Sequence, residues 1–190
     1  HFYNAMGTEV TIVEFMPNVV PVEDEDISKQ MERSLKKAGI KIMTNSSVER
    51  IDTTGSGVKA FVKTAKGEEV LEADILLSAV GIKTNIENIG LEEVGIATDK
   101  DKILVNAYNQ TNIPGYYAIG DVTPGQALAH VASAEGINCV EKIAGLHVEP
   151  IDYGNVPGCT YATPEIASVG LTEKQAKEKG YELKIGKFPF

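Results

Sequence analysis

The sequence is poor in several residue types that would mark particular functions. It has no tryptophan, two cysteines, three histidines, and 18 lysines and arginines against 27 aspartates and glutamates, so the formal net charge is −9. Such a surface repels phosphate backbones and anionic lipids. No apolar run approaches the roughly 20 residues that span a bilayer. We therefore expect neither nucleic acid nor a membrane as a partner.

The two cysteines, Cys139 and Cys159, belong to no close C-x-x-C pair, and no cluster of histidines accompanies them. This spacing is not typical of a metal site, and we assign no metal ligand. We interpret both residues as buried structural thiols in a reducing, cytoplasmic compartment.

The residues that are present indicate a folded protein. Hydrophobic residues make up 43% and charged residues 24%, which is ordinary for a globular chain. A length of 190 residues is enough for one large domain or for parts of two.

Strand and helix patterns alternate in the first half, which predicts the α/β class. A helix turn ends at Gly7, and Ile27, Met31, Leu35 and Ala38 recur at helical spacing. Strands are predicted at residues 9–15, 40–43, 48–51, 58–62, 69–73 and 74–81, with hairpin turns at 55–57 and 66–67. The continuous apolar run at 74–81 predicts a core strand. This order describes most of a dinucleotide-binding domain without its first strand and phosphate loop.

The second half has fewer but equally definite patterns. We expect a buried strand at 116–121, a long helix at 127–144 and a short helix at 173–179 capped by Thr172, with two further strands at 156–161 and 166–170.

Two acids stand at the carboxyl ends of predicted strands, where open α/β sheets bind ligands. Glu14 could accept hydrogen bonds from both ribose hydroxyls of an adenosine, or it could merely end the strand. Asp121 follows Ala118-Ile119-Gly120, a run that ends in a glycine and lets a ligand approach the backbone closely. It precedes a helix whose first amides favour an anionic or electron-accepting group. From spacing alone, either acid could belong to a ligand site or could simply end its strand, and both alternatives remain open.

His130 near that helix start is interpreted as a partly buried, hydrogen-bonded histidine. The acidic run 23–26 is interpreted as a solvated helix start.

Residues 111–121, TNIPGYYAIGD, resemble the second flavin-binding motif of the pyridine nucleotide–disulfide oxidoreductases. The similarity continues at 128–130, 135–136, 161, 164–167 and 169–170, and covers essentially the whole chain. It implies FAD/NAD(P)-binding, Rossmann-like doubly wound domains, present in part, followed by the start of an α+β interface domain. The implied boundaries are 1–82 for the NAD-binding domain, 83–152 for the second segment of the FAD-binding domain, and 153–190 for the interface or dimerisation domain.

The resemblance also implies roles for particular residues. Glu14 would hold the adenosine ribose of NAD, and Val48 and Gly81 would line the same pocket. Asp121, following Gly120, would bind the ribityl chain of FAD. The backbone at four successive residues would approach the pyrimidine side of the flavin ring: Ala127, Leu128, Ala129 and His130.

The function implied is that of an NAD-linked flavoprotein that oxidises dihydrolipoamide to lipoamide through a cysteine pair and FAD. Its partner would be dihydrolipoamide carried by a 2-oxoacid dehydrogenase complex, and the full-length enzyme would be a homodimer. The family's redox cysteine pair and its catalytic histidine–glutamate pair find no match here, so no catalytic residue is assigned. We expect the chain, as an internal segment, to be inactive alone. A mercuric-reductase-like relative and a non-catalytic nucleotide-binding module remain alternatives.

Overall fold

A computed structural model describes residues 1–189, and within them two compact units. The first unit comprises residues 1–78 together with the chain from 157 onward, and the second comprises residues 79–156. None of the helices in the described part of the chain is long and apolar enough to cross a membrane.

The first unit begins with a parallel strand pair joined by a helix. Helix α1 (Phe2–Ala5) ends before Gly7, which has φ +94°, and is followed by β1 (Thr11–Val13), α2 (Glu25–Lys37) and β2 (Lys41–Met43). Strand β1 pairs in parallel with β2. The helix between them covers a core formed by the following residues: Val19, Met31, Leu35, Ile40 and Ile166.

Helix α2 confirms the predicted amphipathic pattern at its centre and corrects it at both ends. Met31 and Leu35 are buried, whereas Ile27 is 42% exposed and Ala38 is also exposed. In the first turn of the helix the buried side chain is instead that of Ser28, whose hydroxyl donates to the carbonyl of Val20 at 3.1 Å. That hydrogen bond makes a buried polar residue acceptable where hydrophobic spacing alone pointed to its neighbour.

An antiparallel three-stranded sheet follows. Its strands are β3 (Ser47–Thr54), β4 (Gly57–Thr64) and β5 (Gly67–Ala73), in the order β3-β4-β5. Both predicted hairpin turns are confirmed, since the connections fall at residues 55–56 and 65–66. On β4 the buried side chains Ala60 and Val62 alternate with more exposed ones, as the sequence predicted for a sheet with one wet face.

The expected core strand at residues 74–81 is wrong. The segment is not a strand, and its large apolar side chains are exposed, including Ile75, Leu77 and Val80. An apolar run supplies side chains for a core, but a strand also needs a neighbour for its backbone groups. No strand of residues 1–189 pairs with this run.

The C-terminal part of the first unit packs against the start of α2. It contains β8 (Gly158–Thr160), β9 (Ile166–Ser168), which pair antiparallel, and α4 (Glu173–Glu178). Thr172 caps α4, as predicted, and it also forms a capping box with Gln175.

The acidic run 23–26 is not simply solvated, which corrects the sequence interpretation. The Asp24 carboxylate accepts from the backbone N–H of Glu173 at 2.9 Å, and Glu23 accepts from Ser168 at 3.3 Å. Asp26 pairs with Lys187, and this pairing holds the Asp26 pKa below its ordinary value. These contacts join residues more than 140 positions apart, so no local pattern could indicate them.

The second unit is built around one helix. It contains the short strands β6 (Thr98–Asp99) and β7 (Lys102–Ile103), then α3 (Ala129–Ile143), which starts two residues later than predicted and ends before Gly145. The buried strand expected at residues 116–121 is wrong. Tyr117 forms one isolated bridge to Gln110, and the chain then turns into a 3₁₀ helix at Gly120–Val122.

Candidate functional site

Glu14 directly follows β1, at the carboxyl end of the parallel pair. Its backbone N–H donates to Met43 on β2 at 2.8 Å, and its carbonyl accepts from Ser46 at 3.0 Å. The side chain is half-buried, and one carboxylate oxygen accepts from the Met16 N–H at 2.8 Å. The strand pair therefore fixes the Glu14 backbone, while a bond within its own loop orients the carboxylate.

Val48 and Gly81, which the resemblance joins to Glu14, lie on different parts of the chain. Val48 is on β3 opposite Val62, beside a bulge in the pairing, and is 41% exposed. Gly81 belongs to the second unit and has φ +116°, a left-handed conformation that favours glycine. Nothing lies within 4 Å of the position that a Cβ would take at Gly81.

Gly120 and Asp121 form a tight turn in the second unit. Gly120 has φ +74°, and a Cβ at this position would lie 3.2 Å from the Cβ of Ala132 on α3. Both facts favour glycine, because a side chain would be strained and would press on the helix. The Gly120 carbonyl accepts from the Thr123 N–H at 2.9 Å and from its hydroxyl at 2.8 Å. Asp121 is exposed at the surface of this turn.

A buried acid supports the turn from the helix. Glu135 on α3 is 2% exposed, and one of its oxygens accepts from the Gly120 N–H at 2.6 Å. Its other oxygen accepts from the Tyr153 hydroxyl at 2.7 Å. Sequence reasoning noted Glu135 only as part of a motif. The missed signal is its spacing, since Val131 and Cys139, four residues away on either side, are both buried on the same face.

The first turn of α3 lies on the same helix. Leu128 is its N-cap residue and makes no side-chain cap, and Ala129 and His130 follow in the first turn. Ala127 precedes the helix. His130 is exposed, which corrects the expectation that it is partly buried.

The two cysteines have different environments. Cys139 is buried, and burial raises the pKa of its thiol. Cys159 on β8 is exposed, so the expectation of two buried thiols is wrong for this residue, because strand residues alternate between faces. Both thiols are free. Across residues 1–189, no group of three or more histidine, cysteine or acidic side chains could hold a metal ion.

Comparison with known proteins gives the family. The model of the pyridine nucleotide-disulphide oxidoreductases matches residues 1–136, and the model of the dimerisation domain of the same proteins matches residues 156–190. The chain belongs to this family. The resemblance seen at the 111–121 motif is therefore confirmed.

Similar proteins include two dihydrolipoyl dehydrogenases and a leghemoglobin reductase. A dihydrolipoyl dehydrogenase of Rhizobium etli is 48% identical over 191 residues, which include all of this chain and 40% of the relative. A mitochondrial dihydrolipoyl dehydrogenase of Pisum sativum is 47% identical over 99% of this chain and 38% of its own length. A leghemoglobin reductase of Glycine max is also 47% identical, over 99% of this chain and 36% of its own length. The chain thus spans about 40% of the length of these relatives.

Solved structures confirm the predicted fold class. LpdA of Mycobacterium tuberculosis superposes with a TM-score of 0.84 at 30% identity, over 93% of this chain and 38% of its own. The HOCl-induced flavoprotein disulfide reductase RclA of Escherichia coli gives 0.84 at 29% identity, over 95% of this chain and 41% of its own.

Proposed function

We propose that this chain is the part of an NAD-linked flavoprotein that binds the ribityl side of FAD and the adenosine side of NAD. The whole protein would oxidise dihydrolipoamide to lipoamide. The observation that carries the proposal is the turn at Gly120–Val122, which exposes Asp121 beside α3 in a chain of this family.

The residues of this turn fit a flavin. Gly120 has no side chain, so a ligand can approach the backbone of the turn closely. The exposed Asp121 carboxylate can accept hydrogen bonds from hydroxyl groups. The backbone at Ala127, Leu128, Ala129 and His130 lies at the start of α3, where the helix dipole can stabilise negative charge on an electron-rich ring edge. FAD, when bound, would carry electrons from a dithiol to NAD.

Glu14 fits the ribose of NAD. Its position after a parallel strand is where such sheets bind nucleotides, and one carboxylate oxygen is left after the bond to Met16. Val48, on β3 of the same unit, would line this pocket. Because a negative charge here opposes a second phosphate, Glu14 favours NAD over NADP.

The proposed organisation assigns residues 1–82 to NAD binding, 83–152 to FAD binding and 153–190 to the interface domain. The match of residues 156–190 to the family's dimerisation domain supports a homodimer for the whole protein. Dihydrolipoamide carried by a 2-oxoacid dehydrogenase complex would be the substrate, in the cytoplasm. The names of several relatives support this choice over a mercuric-reductase-like activity or a non-catalytic module.

The central test is the affinity of the whole protein for FAD after Asp121→Ala. The substitution removes charge-assisted hydrogen bonds, each worth roughly 1.5–3 kcal/mol, so the dissociation constant should rise about tenfold to a hundredfold. Fluorescence titration of deflavinated protein measures it, and Asp99→Ala, at an exposed acid of the same unit, is the control. Equal affinity in Asp121→Ala and wild type, with matching circular dichroism, would remove Asp121 from the flavin site.

A further inference from the structure

Glu135 is the most deeply buried acid in the described part of the chain, at 2% exposure. A carboxylate taken out of water needs partners for its oxygens, and both oxygens have one. One accepts from the Gly120 N–H at 2.6 Å and the other from the Tyr153 hydroxyl at 2.7 Å. No salt bridge to Glu135 occurs among residues 1–189. A backbone amide and a phenol therefore replace the usual lysine or arginine.

The amide that Glu135 holds immediately precedes the proposed ligand-binding acid. Gly120 is in the left-handed region and lies against Ala132. A strong bond to its N–H fixes the direction in which the chain leaves this residue, and the next side chain is that of Asp121.

The rest of the turn is fixed at two further atoms. The Gly120 carbonyl accepts from Thr123, and the Asp121 carbonyl accepts from the Lys102 ammonium at 2.5 Å. The Asp121 carboxylate has no hydrogen bond or ion pair to another of the described residues. Three backbone atoms of the turn are thus hydrogen-bonded, while the Asp121 carboxylate remains available to a ligand.

We propose that Glu135 is a positioning residue for flavin binding. Its carboxylate, oriented by Tyr153, holds the Gly120 N–H and so places the Asp121 carboxylate for the ribityl hydroxyls. This inference rests on the proposed function. A buried acid whose role was only to tie α3 to the following segment would need Tyr153 but would have no reason to bind the residue before Asp121.

Tyr153 supplies the second half of the arrangement. Its pKa is raised to about 12, by burial and then by the hydrogen bond and charge of Glu135. The hydroxyl therefore keeps its proton at neutral pH and donates a hydrogen bond to the carboxylate. Since the Tyr153 hydroxyl bonds Glu135 and it is Glu135 that bonds Gly120, the loss of this hydroxyl should weaken the same function to a smaller extent.

The experiment is a double-mutant cycle on FAD affinity in the whole protein. Glu135→Gln keeps the shape of the side chain and removes its charge, and should raise the dissociation constant about tenfold, while Tyr153→Phe should raise it about threefold. In an Asp121→Ala background, Glu135→Gln should add less than about twofold, because its effect passes through Asp121. The visible absorbance of the bound flavin should change in the same direction in Glu135→Gln as in Asp121→Ala. Glu92→Gln, at an exposed acid of the same unit, is the matched control.

The outcomes separate this inference from the proposed function. If Asp121→Ala weakens FAD binding and Glu135→Gln does not, the positioning role is wrong and the proposed function stands. Additive effects of the two substitutions would mean that Glu135 acts independently of Asp121, which also overturns the inference. If Asp121→Ala has no effect, both are wrong. Should Glu135→Gln fail to fold by circular dichroism, the cycle of Tyr153→Phe with Asp121→Ala decides between coupling, which supports the inference, and additivity, which overturns it.

Discussion

In the proposed function, Glu14 is the residue whose charge would set the choice between NAD and NADP. Two like charges about 4 Å apart repel by roughly 1 kcal/mol in water and by roughly 4 kcal/mol at an effective dielectric of about 20. Glu14 is half-buried, and its backbone is hydrogen-bonded to Met43 and Ser46. The end of β1 therefore cannot shift to carry the carboxylate away from a second phosphate.

We expect Glu14→Ala to reduce the preference of the whole protein for NAD over NADP by at least about tenfold, because the repulsion of the second phosphate is lost. The measurement is the ratio of kcat/KM for the two coenzymes. Glu9→Ala, at an exposed acid paired with Lys41, should leave that ratio unchanged. An unaltered ratio in Glu14→Ala would show that Glu14 does not face the ribose.

Tyr153 gives a second prediction at the same scale. Its pKa in the folded chain is about 12, whereas an unperturbed tyrosine has about 10. Below about pH 10 both folded and unfolded chains keep the proton, so the contribution of the bond to stability is complete. Between about pH 10 and about pH 12 only the unfolded chain loses it, so the free energy of unfolding falls as pH rises.

Urea unfolding of the chain across that pH range should show a steeper loss of stability in wild type than in Tyr153→Phe. Tyr181→Phe, at a tyrosine that is 61% exposed, should behave as wild type. Equal slopes in wild type and Tyr153→Phe would mean that the phenol is not held by Glu135.

Among the elements, α2 contributes most to the core of the first unit. Met31 and Leu35 on its inner face pack with Val19 and Ile40, which flank the helix in sequence, and with Ile166, which is far from it. One short helix therefore joins residues from both ends of the chain, and its packing determines whether this unit holds together.

Replacing Leu35→Ala should lower the free energy of unfolding by about 2–5 kcal/mol, since it removes buried methyl groups and leaves a cavity. Lys37→Ala, on the exposed side of the same helix, should change it by less than about 0.5 kcal/mol. Urea unfolding followed by circular dichroism compares the two. Similar values for both substitutions would contradict the assigned core face.

For the whole molecule, the distribution of thiols limits what the chain can do alone. Cys139 is buried and Cys159 is exposed, both are free, and they belong to different units. They do not form the close pair that thiol–disulfide chemistry with a flavin requires.

We therefore expect the 190-residue chain to form no NADH from dihydrolipoamide and NAD when FAD is added, beyond the rate of free flavin. Absorbance of NADH measures this, with the whole protein as the positive control. Turnover by the chain above that background would show that a dithiol outside this segment is not needed.

The sequence by itself determined the features that depend on neighbouring residues. The hairpin turns, the amphipathic centre of α2 and the Thr172 cap follow from turn residues, spacing and capping, and all are present. The motif at 111–121 was enough to indicate the family.

Tertiary structure decided what depends on distant residues. The runs at 74–81 and 116–121 have strand-like composition, but pairing requires a neighbouring strand, and Gly120 turns because Glu135 and Thr123 bind its two backbone groups. The same reason explains why the roles of Glu135 and of the acidic run 23–26 were invisible in the sequence: their partners lie between 15 and 161 positions away.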